Sequence, residues 1–233
     1  MPGENLTRLE AEARRAIVES HSYEVTLDLT RGAEIFGSRT VARFSATPGS
    51  STFIDLIARD VREITLNGKT VDAAAFADSR IQLDGLAAEN ELVVDADALY
   101  TNTGEGLHRF VDPVDGEVYL YSQFEVPDSR RVFAVFEQPD LKATFAFTLT
   151  APEPWKVVSN SPTPEPKRHG DGTATWAFEP TPRISSYITA IVAGPDEEVR
   201  SELTSAPGRV IPLGVFARKS LWADVDADHI FAK

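Results

Sequence analysis

HSYEVTLDL, residues 21–29, decides how the chain is read. Tyr23, Val25, Leu27 and Leu29 occupy alternate positions, with Glu24, Thr26 and Asp28 between them. Successive side chains of an extended chain point to opposite faces, so this spacing predicts a strand with one buried face. The same period returns in ATFAFTL, residues 143–149, where Ala143, Phe145, Phe147 and Leu149 alternate with Thr144, Ala146 and Thr148. Between the two, Thr40–Ser45 alternates, and 51–57, 61–66, 80–83 and 91–95 are further strand candidates. Asn67-Gly68 separates two of these runs and predicts a tight hairpin, because both residues tolerate positive φ. Trp155–Ser159, Thr173–Phe178 and Ser186–Ala193 extend the pattern. Pro162, Pro164 and Pro166 mark a loop, and His169-Gly170-Asp171-Gly172 a hairpin tip.

Upstream of His21 the period is helical. Residues 4–19 read as a helix, with Leu6, Leu9, Ala13, Ala16 and Ile17 as its apolar stripe and Arg14 and Arg15 near its negative end. Downstream of Gly194-Pro195, residues 197–204 and 209–217 read as a hairpin around Pro207-Gly208, and 220–231 as the start of a helix. Many short strands between turn residues give the fold class: all-β, mainly antiparallel, a β-sandwich with a short N-terminal helix.

Composition narrows the chemistry. The 233 residues hold 42% hydrophobic and 25% charged side chains, as a packed globular chain does. There is no cysteine, so disulfides, a thiolate nucleophile and sulfur-ligated zinc are all excluded. The net charge of −13 argues against nucleic acid as a partner. It suits either cationic substrates or simple solubility. The opening MPGENLTRLEAEARRAIVES lacks the regions of a signal peptide, and no apolar run reaches membrane-spanning length. A cytoplasmic protein with no membrane partner is the expectation. His21, His108, His169 and His229 include no H-E-x-x-H pair, and the chain has neither a G-x-S-x-G elbow nor a phosphate-binding loop. No catalytic residue and no metal ligand set is visible.

One segment stands out. Tyr119–Phe124 reads as a strand running into the polar stretch Glu125–Arg131. On an extended chain Gln123 and Glu125 would face one side, roughly 6.6 Å apart. An amide oxygen and a carboxylate so placed can accept hydrogen bonds from an ammonium group, which has donors only. The other reading of the same spacing is that the two residues cap a turn, or pair with Arg130 and Arg131.

The segment resembles the M1 zinc aminopeptidases, bacterial aminopeptidase N in particular. The residues that carry the resemblance are Tyr121-Ser122-Gln123-Phe124-Glu125, Arg130-Arg131, and Phe136-Glu137-Gln138-Pro139-Asp140-Leu141-Lys142-Ala143-Thr144-Phe145. Asn5-Leu6-Thr7-Arg8, Gly104-Glu105-Gly106-Leu107-His108-Arg109-Phe110, Trp155…Ser159-Asn160 and Ile184-Ser185-Ser186-Tyr187-Ile188 are further landmarks. Phe133-Ala134-Val135-Phe136-Glu137 departs from the F-P-C-F-D of many relatives, and the longer Glu137 is the change able to shift a hydrogen bond.

The resemblance implies a saddle-like sandwich over residues 21–195, preceded by a helical arm at 1–20. It implies that 196–233 open a thermolysin-like catalytic domain. It implies peptide substrates with a free N-terminus, and a zinc ion whose ligands lie outside this chain, in a catalytic domain joined in cis. Gln123 matches a glutamine that helps hold the substrate α-amine, and Glu125 is a second acceptor there. By the same implication this stretch is inactive by itself, and its uncovered face would self-associate weakly. The runner-up is a non-catalytic binding module on an M1-like scaffold. Arg130 and Arg131 could be read as an anion site, but at least one is expected to brace the loop through Asp128 or Glu137; His108 is expected to be a surface or loop residue rather than a ligand, and Trp155, Trp176 and Trp222 to be core or interface residues.

Overall fold

The computed structural model describes residues 5–232. Helix α1 (Arg8–Ile17) leads directly into β1 (Val18–Asp28) and β2 (Ile35–Ala46). Then come β3 (Thr52–Asp55), β4 (Asp60–Leu66), β5 (Lys69–Thr70), β6 (Phe76–Ala77), β7 (Arg80–Leu83) and β8 (Glu89–Leu99). The second half holds β9 (Gly106–Val111), β10 (Val118–Gln123), β11 (Thr144–Pro152), β12 (Lys156–Val158), β13 (Lys167–Arg168), β14 (Thr173–Ala177) and β15 (Val192–Gly194). The hairpin β16 (Glu197–Thr204) and β17 (Val210–Ala217) and helix α2 (Ala227–Phe231) follow.

The alternation in residues 21–29 places β1 near the middle of an eight-stranded sheet ordered β13-β14-β11-β1-β2-β8-β4-β5. Its neighbour on one side is β11, in parallel register, with Tyr23 opposite Phe145, Val25 opposite Phe147 and Leu27 opposite Leu149. Every other ladder is antiparallel. Asn67 and Gly68 both take positive φ and turn β4 into β5, as their dipeptide predicts. A four-stranded sheet β12-β15-β10-β9 and a three-stranded sheet β3-β7-β6 lie over the inner face of the large one. One apolar core joins all three, for example through Leu27, Phe147, Ile54, Ile81, Leu107 and Leu120. The expected sandwich is therefore the observed one.

Between the layers runs Val132–Phe136, every residue of it buried. Backbone groups in such a place need partners. The inner face of the large sheet supplies them. Ser38 Oγ donates to Val132 O (2.6 Å), Thr40 Oγ1 accepts from Ala134 N (3.2 Å), and the Tyr23 hydroxyl accepts from Phe136 N (3.2 Å). Asp55 pairs with Val135 through both backbone groups. Polar residues thus punctuate an apolar face because a chain crosses it there. Tyr23→Phe keeps the ring and orphans the Phe136 N–H. It is expected to lower unfolding free energy by about 1–3 kcal/mol in urea titration, with the m-value unchanged.

Helix α1 departs from its apolar pattern. It spans Arg8–Ile17, and Val18–Ser20 already belong to β1. Thr7 caps it, in a capping box with Glu10. Leu9 is 78% exposed, whereas Arg14 is 2% exposed. The face turned inward runs through Leu6, Glu10, Arg14 and Ile17, because its partners are polar. Arg14 Nη1 meets Asp55 Oδ2 at 2.7 Å, and its Nε donates to Gln138 Oε1 at 3.0 Å. The guanidinium also lies over the Phe53 and Phe136 rings. Glu10 receives Arg80 at 2.6 Å, and that hydrogen bond, with the Thr7 N–H, holds its carboxyl down to about 2.

Ser186–Ala193 also differs from its expected strand. Ser186–Ile188 is a 3-10 turn, and only Val192–Gly194 joins a ladder. Thr189 bonds back to Ser186 O through its hydroxyl (2.7 Å) and its N–H (3.0 Å), a local alternative to the ladder. The 197–204 and 209–217 hairpin is present as β16 and β17, a sheet of its own. Residues 219–224 form a 3-10 turn before α2, where a single helix start was expected.

Candidate functional site

β10 carries Gln123 at its C-terminal end, paired with Gly106 of β9. Alternation divides this strand. Leu120, the Ala193 that faces it, and Leu107, which faces Ser122, enter the core. Tyr119, Tyr121 and Gln123 turn outward with Phe110, His108 and Val192. This outer face has two halves. Toward Tyr119 it is covered by the end of β17 and the 3-10 turn that follows it. Arg218 lies over Phe110, the Tyr119 hydroxyl accepts from Lys219 N (3.1 Å), and Asp112 takes Ser220 Oγ (2.6 Å) and Arg218 (2.7 Å). The Ser220 hydroxyl and the Val114 N–H, with Arg218, hold the Asp112 carboxyl below its usual range. A cavity of about 500 Å³ remains between the face and the hairpin, lined in part by His108, Tyr121, Val192 and Leu221.

Toward Gln123 the face is open. Tyr121 (43% exposed), Val192 (36%), Tyr187 (42%) and Ile188 (48%) form an apolar rim. The His108 ring stacks on Tyr121 at 4.6 Å, and its Nδ1 accepts from Gly104 N at 3.0 Å. The other ring nitrogen is therefore the one that carries the proton in the neutral ring. His108 is thus a half-buried residue of β9 that holds the Gly104 loop, where a surface or loop residue was expected.

Gln123 and Glu125 come together here, but not by the extended spacing that the sequence suggests. The strand ends at Gln123, and Glu125 opens a turn closed by Asp128 N donating to Glu125 O (3.1 Å). Gln123 Oε1 accepts from the Glu125 N–H at 2.8 Å. The turn-capping alternative is thus present in the molecule. It leaves one lone pair on that oxygen and both Nε2 donors. The Glu125 side chain is exposed and forms no ion pair among the described residues. Glu105 and Asp128 flank it, bridged by Arg131 at 3.1 Å and 2.7 Å. The three carboxylates outnumber the Arg130 and Arg131 guanidinium groups of this turn, and the surplus negative charge favours a cation over an anion.

Arg131 is the expected brace: it pairs with Asp128, and also with Glu105. Arg130 behaves differently. Its Nε donates to Pro127 O (2.9 Å), and only its backbone N–H reaches Glu137, at 2.8 Å. Sequence reasoning passed over Glu105 and Gly106 as structural parts of the site. Their signal was the positive φ that a Gly-x-Gly run permits.

Elsewhere, a larger cavity of about 690 Å³ lies under the proline loop, with Trp155, Trp176 and Phe216 in its wall. Its cations are occupied: Lys156 and Arg200 on Glu198, Arg168 on Glu153. Trp176 is buried, while Trp155 and Trp222 are half-buried. Among the described residues no three His, Cys, Asp or Glu side chains converge as a metal ion requires, so these residues do not fit a zinc centre. No helix among them is long and apolar enough to cross a membrane.

The chain is, in class, a β-sandwich domain whose smaller sheet presents an open, acidic, apolar-rimmed end. The family model described as the peptidase M1 N-terminal domain matches residues 19–188, and the chain belongs to that family. It is 57% identical to the aminopeptidase N of Streptomyces lividans, over 99% of this chain and 27% of that protein. It is 36% identical to the aminopeptidase N of Acetobacter pasteurianus, over 44% of this chain and 27% of that protein. A crystal structure of Legionella pneumophila aminopeptidase A in complex with aspartic acid shares the fold. Its TM-score is 0.78 at 16% identity, over 90% of this chain and 25% of that one. The chain thus spans about a quarter of the length of these relatives.

Proposed function

We propose that this chain is the N-terminal part of a zinc-dependent aminopeptidase, and that the open end of its four-stranded sheet forms one wall of the active site. Gln123 and Glu125 receive the α-amine of a peptide there. The observation that carries the reading is the unpaired Glu125 carboxylate beside Gln123, at an acidic sheet end with an apolar rim. An ammonium group supplies the donors that this end lacks, and the rim offers a neighbouring chain an apolar seat. In this reading residues 21–195 are the sandwich domain and 196–233 open the next one. The separate hairpin β16–β17, whose Leu203 and Val210 are over half exposed, supports that division. The zinc ion, its ligands and the general base belong to the portion of the relatives that this chain does not span. Zinc supplies a Lewis acid and an activated water. The residues described here bind and orient.

The test is Gln123→Ala in the complete enzyme with aminoacyl substrates. A hydrogen bond to a charged group contributes about 1.5–3 kcal/mol, so kcat/KM should fall roughly 10- to 150-fold, mostly through KM. Unchanged kinetics would remove Gln123 from the subsite. The 233-residue protein assayed with zinc should show no turnover, and zinc-dependent turnover by the pure protein would overturn this division of labour.

A further inference from the structure

Glu137 is a buried carboxylate, 2% exposed. Among the described residues no side-chain nitrogen of Lys, Arg or His lies within 4 Å of its carboxylate. Its charge is met by hydrogen-bond donors alone. Oε2 accepts from Ser129 Oγ and, at 2.8 Å, from the Arg130 N–H; Oε1 accepts from Ser186 Oγ at 2.9 Å. Desolvating a carboxylate without a paired cation is unfavourable, and a well-packed apolar residue is often the more stable occupant. Burial accordingly pushes the Glu137 carboxyl above its ordinary range, against the pull of Ser129, Arg130 and Ser186.

What that group joins is informative. Ser129 and Arg130 end the turn that begins at Glu125. Ser186 begins the 3-10 turn that exposes Tyr187 and Ile188. Both turns lie beside the end of β10, where Ser122 is bonded to Ile191 through its N–H (2.8 Å) and its Oγ (2.7 Å). The brace is itself anchored. The Glu137 N–H donates to Asp55 Oδ2 (3.1 Å), the oxygen that holds Arg14 of helix α1.

We infer that Glu137 is a positioning residue for the amine subsite: its carboxylate clamps the Glu125–Arg131 turn to the Ser186–Ile188 turn and thereby sets where Gln123 and Glu125 stand. This rests on the reading of Gln123 given above. Glu137 touches no substrate and acts through the two turns.

The experiment is a double-mutant cycle in the complete enzyme. Glu137→Ala should raise KM about tenfold with kcat changed less than about twofold, and beside Gln123→Ala it should add less than about twofold, because both act on one subsite. Glu137→Gln keeps the shape and an acceptor for Ser129 and Arg130, so it should stay within about twofold of the parent enzyme. A tenfold loss that persists undiminished beside Gln123→Ala overturns the brace and leaves the subsite reading standing. If Gln123→Ala is without effect, the subsite reading falls and takes the brace with it. Should Glu137→Ala fail to fold, Ser186→Ala removes a single bond. It should raise KM about threefold alone and leave it unchanged beside Gln123→Ala; a threefold loss in both backgrounds overturns the brace.

Discussion

Arg14→Ala is expected to lower the unfolding free energy by about 3–5 kcal/mol, because it leaves a buried charge without its partner. The Arg14 and Asp55 side chains are 1% and 3% exposed, 2.7 Å apart. Asp55 cannot reach water in compensation. Its remaining contacts are the Glu137 N–H and Arg80, whose Nε stands at 3.9 Å. The substitution also takes the guanidinium from the Phe136 ring and the donor from Gln138 Oε1, while Phe53 keeps that of Arg80. Urea unfolding measures the loss. Adding Asp55→Asn should recover part of it by removing the stranded charge. A loss below about 1 kcal/mol would mean that water enters and solvates Asp55.

Gly106→Ala is expected to lower stability by about 2–4 kcal/mol, as the sum of backbone strain and overpacking. Gly106 has φ +61°, and a Cβ there would stand 2.8 Å from Arg131 Cβ and 3.1 Å from Arg131 Cδ. Arg131 has to move, and its links to Asp128 and Glu105 go with it. Gly104→Ala is the control. Its φ is +87° and nothing lies within 4 Å of the added atom, so only the strain of about 1–2 kcal/mol remains. Equal losses at the two positions would show that Arg131 yields freely.

Much of the fold was legible because a period of two is a direct image of a pleated, one-sided strand. Residues 21–29 and 143–149 read correctly, and the structure adds that they are parallel neighbours. Periodicity carries no strand direction. Helix α1 was legible as a helix but not as to which face it buries, since Arg14 pairs with Asp55, 41 residues away. The Thr7-to-Glu10 spacing of its capping box was readable and went unread. Ser186–Ala193 looked like a strand because its apolar residues alternate. The Thr189 hydroxyl and N–H, both bonded back to Ser186 O, close a turn there instead. At the candidate site the residue types pointed to Gln123 and Glu125, whereas the turn that joins them comes from backbone bonds that no spacing displays.

The crossing segment Val132–Phe136 has a consequence for how the chain is made. Its bonds to Ser38, Thr40 and Tyr23 close loops of 94, 94 and 113 residues. The parallel register of Tyr23 with Phe145 is as remote. A chain emerging from the ribosome therefore cannot complete the sandwich until Val132–Phe136 and β11 have been synthesised. Such high contact order predicts slow, late and concerted assembly, with the β1–β2 hairpin waiting unpartnered on one edge until β11 arrives.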